Sequence, residues 1–403
     1  MKKIIALAAL ATLPLGMMAQ HEEDSENGVV SLAGREGFTI QSKKGDFVFK
    51  PYMLVQTSGN FNWYDDEDLD KAYNQDNIAN SGFGIPYAVL GFTGKAFDKV
   101  SFNLSINAAK SGGQLLQQAW FDVKFKEAAQ LRVGKFKTPF SHAYLTTLGE
   151  TLFPQLPTSL TTAVIMPYTL NAVTPNIGTG FDLGVELHGL VKDKFGYEIG
   201  LFNGTGAAVN TASKTMSDDW HIPSLLYAGR FTYMPYGVMP STQGNPNRLD
   251  EKKMLIGVSG SINVESENES TNDTRVGFEW ALLYHKWYFA AEAYWMNVGF
   301  TKRQKINEHY NYVGGYIQGG YFVAPRVQLA ARYDIMNRNS TTKDGLLNMP
   351  AVGVNYFFKG CNLKLQAMYQ YTGRTGHANQ LDRDNDNLGL ATHSATVQLQ
   401  YAF

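Results

Sequence analysis

The sequence lacks most of the features that stabilise secreted domains or anchor helical membrane proteins. Cys361 is the only cysteine in 403 residues, which excludes an internal disulfide and a cysteine metal cluster. Charged residues make up 18% of the chain and the formal net charge is −1, so the composition offers no basic face for nucleic acid. The mean hydropathy is −0.24, which argues against a bundle of spanning helices, each of roughly 20 apolar residues.

One long apolar run does occur, at the N-terminus. Lys2 and Lys3 precede the apolar residues 4–15, and Ala19 follows shortly afterwards. A basic start, an apolar stretch and a small residue at the end are typical of a cleaved secretory signal peptide. We therefore predict that residues 1–19 direct export and are removed; the alternative is a membrane anchor.

The residues that are abundant indicate β-structure. Aromatic residues reach 13%, with 22 Tyr and 24 Phe, and there are 39 Gly. From Phe47 onward, apolar and polar residues alternate with a period of two in segments of about ten residues. In residues 394–403 the apolar set Ala395, Val397, Leu399 and Tyr401 alternates with Thr and Gln.

This alternation predicts an all-β fold, an antiparallel transmembrane β-barrel of about 16 strands, with one face in lipid and the other in water. We expect a periplasmic N-terminal segment over 20–46 and the barrel over 47–403, which would place the protein in the cell outer membrane. Short connections alternate with long polar ones, as in bacterial barrels. The connection 237–252 is too long for a periplasmic turn, so the strand count is open there.

Several motifs carry a resemblance to a known family. The run Leu131-Arg-Val-Gly-Lys-Phe-Lys-Thr-Pro-Phe-Ser141, with 119–125 before it and 90–97 and 37–42 upstream, resembles the phosphate-selective porin O and P family. The resemblance implies a homotrimer of barrels in outer-membrane lipid that conducts small solutes or anions such as phosphate. It also implies that the C-terminal Phe403 is used by the barrel assembly machinery.

The longest connection between predicted strands, 138–180, is too apolar for a loop that extends into water. A connection of that length is uncommon unless it is functional. We predict that it folds into the barrel as a constriction loop, the alternative being an external lid or a trimer contact. Its candidate residues are Phe140, His142, Tyr144, Glu150 and Tyr168.

Channel selectivity depends on the charges of the inner wall. Acidic residues accompany the basic ones on the predicted lumen faces, which favours a wall of mixed charge over a ladder of cations for phosphate. Lys135 and Lys137 match the family motif and either face the mouth or cap the strand end. The predicted pore-lining residues are Lys124, Arg132, Lys135, Lys137, Arg230, Arg275, Arg326, Arg332 and Lys364.

Other functions have weaker support in the sequence. The histidines are scattered and stand in no nucleophile motif, so neither an outer-membrane hydrolase nor a cofactor is expected. The run 382–389 resembles part of a calcium loop but lacks the required glutamate. A general non-selective porin and a surface adhesin with a plugged barrel remain the alternatives to a selective channel.

Deletion of residues 145–175 should raise the single-channel conductance in planar bilayers, because the predicted constriction would be removed. An unchanged conductance would show that this segment does not narrow the channel.

Overall fold

The computed structural model describes residues 29–34, 37–64, 80–164, 180–204, 225–246, 250–263, 272–299, 309–337, 340, 346–375 and 392–403. Most of these residues belong to one antiparallel sheet. Its strands are β1 (Val29–Gly34), β2 (Gly37–Ser42), β3 (Phe47–Tyr64), β4 (Asn80–Ala96), β5 (Val100–Asn107), β6 (Leu116–Lys126), β7 (Ala129–Lys137), β8 (Phe181–Val191), β9 (Phe195–Phe202), β10 (Leu226–Tyr233), β11 (Lys253–Asn263), β12 (Asn272–Tyr284), β13 (Trp287–Gly299), β14 (His309–Ala324), β15 (Val327–Asn337), β16 (Leu346–Lys359), β17 (Leu363–Thr375) and β18 (Thr392–Ala402).

The sheet closes on itself. Each strand from β3 to β18 pairs with the next one in the chain, and β18 pairs with β3 over Thr392–Ala402. The predicted barrel and its sixteen strands are therefore confirmed. In hydrocarbon every backbone N–H and C=O must find a partner within the protein, and a closed barrel meets this requirement without an open edge.

Alternation sorts the side chains between the two faces of the wall. On β18, Val397 and Tyr401 are 44% and 49% exposed, whereas Gln398 and Gln400 are 1% and 0% exposed. The apolar row points outward and the polar row points to the interior of the barrel. Since lipid solvates the apolar row without cost, the strand is stable only in a membrane or its equivalent.

The two strands before the barrel form a hairpin that the alternation pattern did not predict. β1 pairs with β2, and β2 also pairs with the start of β3, where Ile40 lies opposite Phe49. The C-terminal residue lies close to this hairpin: Phe403 exchanges two backbone hydrogen bonds of 3.1 Å with Met53, and its ring is 6.3 Å from that of Phe38. The end of the last strand is therefore held by both the first barrel strand and the hairpin.

Most connections at one end of the barrel are tight turns. Phe97 and Asp98 have φ of 54°, and Lys192 and Asp193 have φ of 54° and 55°, the left-handed conformation of hairpin turns whose twist matches that of the strands. The connection between β10 and β11 is longer, and residues 234–246 and 250–252 contain no strand. The anomalous length of 237–252 therefore reflects a long connection and leaves the strand count unchanged.

The described part of the β7–β8 connection contains two short helices, α1 (His142–Leu145) and α2 (Thr158–Val164). Single 3₁₀ turns occur at Gly112–Gln114 and Leu148–Glu150. Within the described ranges, no helix has the length and apolar character needed to cross a bilayer.

Gly134 interrupts the regular conformation of β7 just before this helical segment begins. Its φ is +132°, and a Cβ atom there would lie 2.1 Å from the carbonyl oxygen of Ala119 on β6. Only glycine fits such a close approach of two backbones. Beyond Gly134 the alternation lapses, since Lys135 and Phe136 are both 2% exposed.

Substitution Gly134→Ala should destabilise the barrel by about 2 kcal/mol, because the methyl group would push β6 and β7 apart and force a strained φ. The measurement is the apparent unfolding temperature in detergent, followed by circular dichroism. Gly229→Ala is the matched control, since the nearest atom to a Cβ at Gly229 is 3.8 Å away. Equal unfolding temperatures for the two variants would contradict this reasoning.

Candidate functional site: the channel interior

Residues 138–164 pack on the inner face of the wall. Phe140, Leu152 and Leu160 are 3%, 1% and 0% exposed and share one apolar cluster with the wall residues Tyr288 and Tyr312. The inner face of β12–β15 supplies aromatic and methionine side chains where the segment contacts it. The apolar character of the segment is therefore matched by an apolar patch inside the barrel.

Basic side chains of the wall donate hydrogen bonds to backbone carbonyl groups of this segment. They satisfy carbonyl groups that have no partner within a strand or helix, where an unpaired carbonyl would cost about 1–3 kcal/mol. The contacts are Lys137 Nζ to the oxygens of Tyr144 and Thr146 at 2.6 and 3.0 Å, Arg275 Nη1 to Ala163 at 2.9 Å, Arg332 Nη1 to Gln155 at 2.8 Å, and Lys364 Nζ to Thr151 at 3.0 Å.

Two carboxylates of the wall hold the helical parts of the segment. Glu292 accepts hydrogen bonds of 2.8 Å each from the N–H of Ala143 and from the hydroxyl groups of Tyr294 and Tyr316. This side chain is 3% exposed, and these donors give both of its buried oxygens a hydrogen-bond partner.

The second carboxylate, Asp334, accepts from the N–H groups of Thr158 and Ser159 at 2.5 and 3.3 Å. These two N–H groups lie in the first turn of α2, where a helix has no internal acceptors for its N–H groups. Tyr312 completes the attachment, because its hydroxyl donates to the carbonyl of Ser159 at 2.7 Å.

Amide side chains of the wall add further contacts to the middle of the segment. Asn355 and Gln366 donate to the carbonyl of Leu152 at 2.9 and 3.2 Å, and Gln400 donates to the carbonyl of Gly149 at 2.9 Å. The contacts of residues 138–164 therefore extend around the barrel from β12 to β18.

The long β10–β11 connection meets the same segment from the end of the barrel that carries the tight turns. The N–H of Gln243 donates to the carbonyl of Glu150 at 2.8 Å, and its side-chain oxygen accepts from the N–H of Leu152 at 3.3 Å. Ser241 Oγ accepts from the N–H of Thr147 at 3.1 Å. Two connections thus meet inside the barrel.

On the opposite side of the interior, β6–β12 carry a network of ion pairs. The guanidinium of Arg132 donates to Asp122 at 2.8 Å and to Glu186 at 3.5 Å, and lies over the rings of Trp120 and Phe136 at 4.7 and 5.4 Å. Such stacking holds the planar group in a fixed orientation.

Two further members extend this network. His188 contacts Asp122 at 2.7 Å. Arg230 donates to Glu279 through two nitrogens at 2.8 Å each and to Glu198 at 2.7 Å. Each arginine in the network is therefore bonded to two carboxylates, which leaves little uncompensated positive charge.

A cavity of about 380 Å³ lies between this network and the helical segment. Arg132, His188, Glu198 and Arg230 line it from the wall, and His142 of α1 lines it from the other side. The side chains of Arg132 and Glu198 are 25% and 27% exposed, so water reaches both signs of charge. Small polar solutes fit a space of this size and polarity.

The predicted constriction residues occupy different environments. Phe140 and Tyr144 are buried, and Glu150 is half-buried. Burial, reinforced by the positive charge of Arg230, lowers the pKa of His142 to about 3. His142 is therefore neutral at physiological pH and adds no charge to the cavity, while Tyr168 lies outside the described residues.

The predicted pore-lining residues also divide into groups. Arg132 and Arg230 line the cavity, whereas Lys137, Arg275, Arg332 and Lys364 hold the carbonyl groups of 138–164. Lys137 was expected either to face the mouth of the channel or to cap the end of its strand. Its hydrogen bonds to the carbonyl groups of Tyr144 and Thr146 are those of a residue at the strand end.

Three of the predicted pore-lining residues belong to neither group. Lys124 pairs with Glu127 at the turn after β6. Lys135 is 2% exposed and donates to the carbonyl of Leu116 at 2.8 Å. Arg326 is exposed in the turn before β15. Neither Lys135 nor Arg326 is among the residues that line the cavity described above.

The alternation places Gln366, Gln400 and Glu292 on the inner face, and Asn355 also lies on the polar face of its strand. The sequence did not indicate that these side chains hold residues 138–164. No pattern in the sequence distinguishes Gln243, because the β10–β11 connection is irregular. The run 382–389 lies outside the described residues.

Comparisons with known proteins agree with this architecture. The family model described as phosphate-selective porin O and P matches residues 55–403. A comparison with curated proteins finds no match. Similar solved structures are an anion-selective porin from Comamonas acidovorans and the outer-membrane protein OmpT of Vibrio cholerae.

These similarities are structural, and the sequence identities are low. The Comamonas porin has a TM-score of 0.58 at 9% identity, covering 89% of this chain and 100% of that one. OmpT has a TM-score of 0.53 at 12% identity, covering 89% and 98%. The outer membrane channel DcaP of Acinetobacter baumannii has a TM-score of 0.51 at 12% identity, covering 90% and 99%.

Substitution Glu292→Gln should loosen the attachment of 138–164, because the amide keeps one acceptor oxygen and its NH2 group cannot accept the hydrogen bonds made to the other carboxylate oxygen, a loss of about 2 kcal/mol. The measurement is single-channel recording in planar bilayers, where we expect larger current fluctuations and a higher mean conductance. Asp122→Asn is the matched control, since the side chain of Asp122 contacts Arg132 and His188 on the opposite side of the interior. Wild-type current traces from Glu292→Gln would contradict this role.

Proposed function

The chain belongs to the phosphate-selective porin O and P family, so it is an outer-membrane porin, and we propose that it passes small polar solutes, with anions such as phosphate among them, by passive diffusion. The observation that carries this proposal is the water-accessible cavity of about 380 Å³ between α1 and the ion-pair network. Members of this family act as channels rather than as enzymes. The solute path is therefore a matter of size and charge, with no bond broken.

The proposed constriction consists of residues 138–164 together with the β10–β11 connection. The inner face of β12–β18 is covered by the first of these segments, and Gln243 ties the second to it. The cavity lies on the other side of the interior, where residues of β7–β11 line it. A channel narrowed in this way would admit small solutes and exclude large ones, since pore size is set by the side chains at the narrowest level.

The charges near the cavity support weak selectivity between ions. Arg132 and Arg230 bring two positive charges, and Asp122, Glu186, Glu198 and Glu279 pair with them. Anion selectivity requires positive charge that is free to replace the water of the solute. We therefore propose a general diffusion channel that admits anions without excluding neutral solutes.

Export, assembly and oligomeric state are further parts of the proposal. The N-terminal pattern of residues 1–19 supports a cleaved signal peptide. The final strand, which presents an apolar row outward and ends at Phe403, supports recognition by the barrel assembly machinery. A homotrimer is supported by the family resemblance and by a solved structure of OmpT of Vibrio cholerae that is described as a trimer form, with a TM-score of 0.51 at 12% identity.

A plugged barrel that serves as a surface adhesin is the second candidate. The observation that favours it is the near-complete burial of inner side chains such as Gln366, Gln398 and Gln400, at 0%, 1% and 0% exposed. Conductance separates the two functions, because a plugged barrel would give no steady current in a bilayer. A steady current would exclude the adhesin as the main function.

The reversal potential of the reconstituted channel under a potassium chloride gradient should lie near zero, since both signs of charge line the cavity. Glu198→Gln should shift it toward anions and Arg132→Gln toward cations, because each variant removes one sign from the cavity wall.

Lys95→Gln serves as the control for these two variants, since Lys95 pairs with Asp98 at a turn outside the cavity. A strongly anion-selective wild type would contradict the mixed-charge interior. Identical potentials in Glu198→Gln and Arg132→Gln would contradict the path through the cavity.

A further inference from the structure

The outer surface of β13–β15 carries a groove of about 510 Å³. Its floor is formed by Gly319 and Ala331, which pair across β14 and β15. Larger side chains surround this floor, and none of the outward-facing ones is charged. The rim is formed by Trp287, Phe289, Ile317, Tyr321, Leu329 and Tyr333.

The rim is built of side chains that hold one another in place. The rings of Trp287 and Tyr321 are 4.2 Å apart, and those of Trp287 and Phe289 are stacked at 5.3 Å. Phe289 also leans toward Gly319, where an added Cβ would lie 2.9 Å from its ring. The groove therefore exists before any molecule enters it, which reduces the entropic cost of binding.

The groove has a definite position along the barrel. Its first row, Trp287 opposite Tyr321, lies next to the turn that precedes β13, and its last row contains Ile317, four residues before Tyr321 in β14. Four residues of an antiparallel strand span about 14 Å, roughly half of the 25 Å apolar band of an outer-membrane barrel. The groove therefore spans the leaflet next to the tight turns.

Two cations stand at the end of the groove, in the tight turns. Lys286 lies in the turn before β13, Arg326 lies in the turn before β15, and both are exposed. The carbonyl of Lys286 accepts from the N–H of Phe322 at 3.1 Å, which places the first turn beside the end of β14. The two turns are two strand spacings apart, about 10 Å. Within the described part of the chain, neither cation is engaged in an ion pair.

We infer that this groove binds an anionic glycerophospholipid, with an acyl chain over Gly319 and Ala331 and the headgroup phosphate at Lys286 and Arg326. The apolar groove matches the chain, and the two cations match the phosphate. Trp287 and Tyr321 stand at the junction between them, where amphipathic rings are favoured at a membrane interface. Lipid is the expected occupant because the open side of the groove faces the bilayer.

The test is native mass spectrometry of the detergent-purified full-length protein, titrated with phosphatidylglycerol or with phosphatidylcholine. We expect one phosphatidylglycerol to bind at least tenfold more tightly than phosphatidylcholine. Ala331→Leu should weaken this binding about tenfold, because the leucine side chain fills the floor. The double variant Lys286→Gln and Arg326→Gln should remove the preference for the anionic lipid.

Two matched controls separate the site from general effects of the substitutions. Ala367→Leu adds the same bulk to the outer face of β17, and Lys126→Gln with Lys194→Gln removes two charges near other turns. Both controls should bind phosphatidylglycerol as the wild type does. Circular dichroism and channel conductance equal to wild type would show that each variant has folded.

Three results would overturn the inference. The first is wild-type affinity in Ala331→Leu, and the second is an equal loss in Ala367→Leu. The third is a change of oligomeric state in Ala331→Leu, measured by light scattering, with lipid binding unaltered, because the groove would then hold a second copy of the chain.

Discussion

Pairing of β18 with β3 leaves the sixteen-stranded wall without an open edge, and the other features of the molecule depend on this closure. In a bilayer an unpaired strand would expose backbone groups to hydrocarbon at a cost of several kcal/mol each. Once the ring is closed, each strand has one face toward lipid and one toward the interior. The polar interior can then hold water, ions or another part of the same chain.

Residues 138–164 contact the inner face of the wall, and their backbone groups also need hydrogen-bond partners. Their irregular backbone leaves carbonyl and N–H groups that strands and helices would otherwise pair. The wall supplies partners: Lys364, Arg275 and Arg332 donate to carbonyl groups, and Glu292 and Asp334 accept from N–H groups. Charges on the wall of this channel therefore serve structure first, and the charges that reach water are paired with the opposite sign.

The repetitive part of the fold was predictable from the sequence, and the irregular part was not. Alternation predicted a barrel of about sixteen strands that begins at Phe47, and it put Gln398 and Gln400 on the inner face. It failed after Gly134, where the consecutive residues Lys135 and Phe136 are both buried at 2% exposure although the strand pairing continues in register. The hairpin β1–β2 was also missed, because its two six-residue strands are too short to give a clear period.

The sequence by itself determined the fold class, the two faces of each strand and the presence of an apolar connection after β7. The first two follow from the alternation of apolar and polar residues with a period of two, and the third follows from the composition of that connection. Tertiary structure decided which partner each inward side chain finds. Arg132 and Arg332 carry the same charge on the same face of their strands, yet one lines a cavity and the other holds the carbonyl of Gln155. The difference arises because an irregular segment packs beside one and not the other, and that packing depends on contacts between residues far apart in the chain.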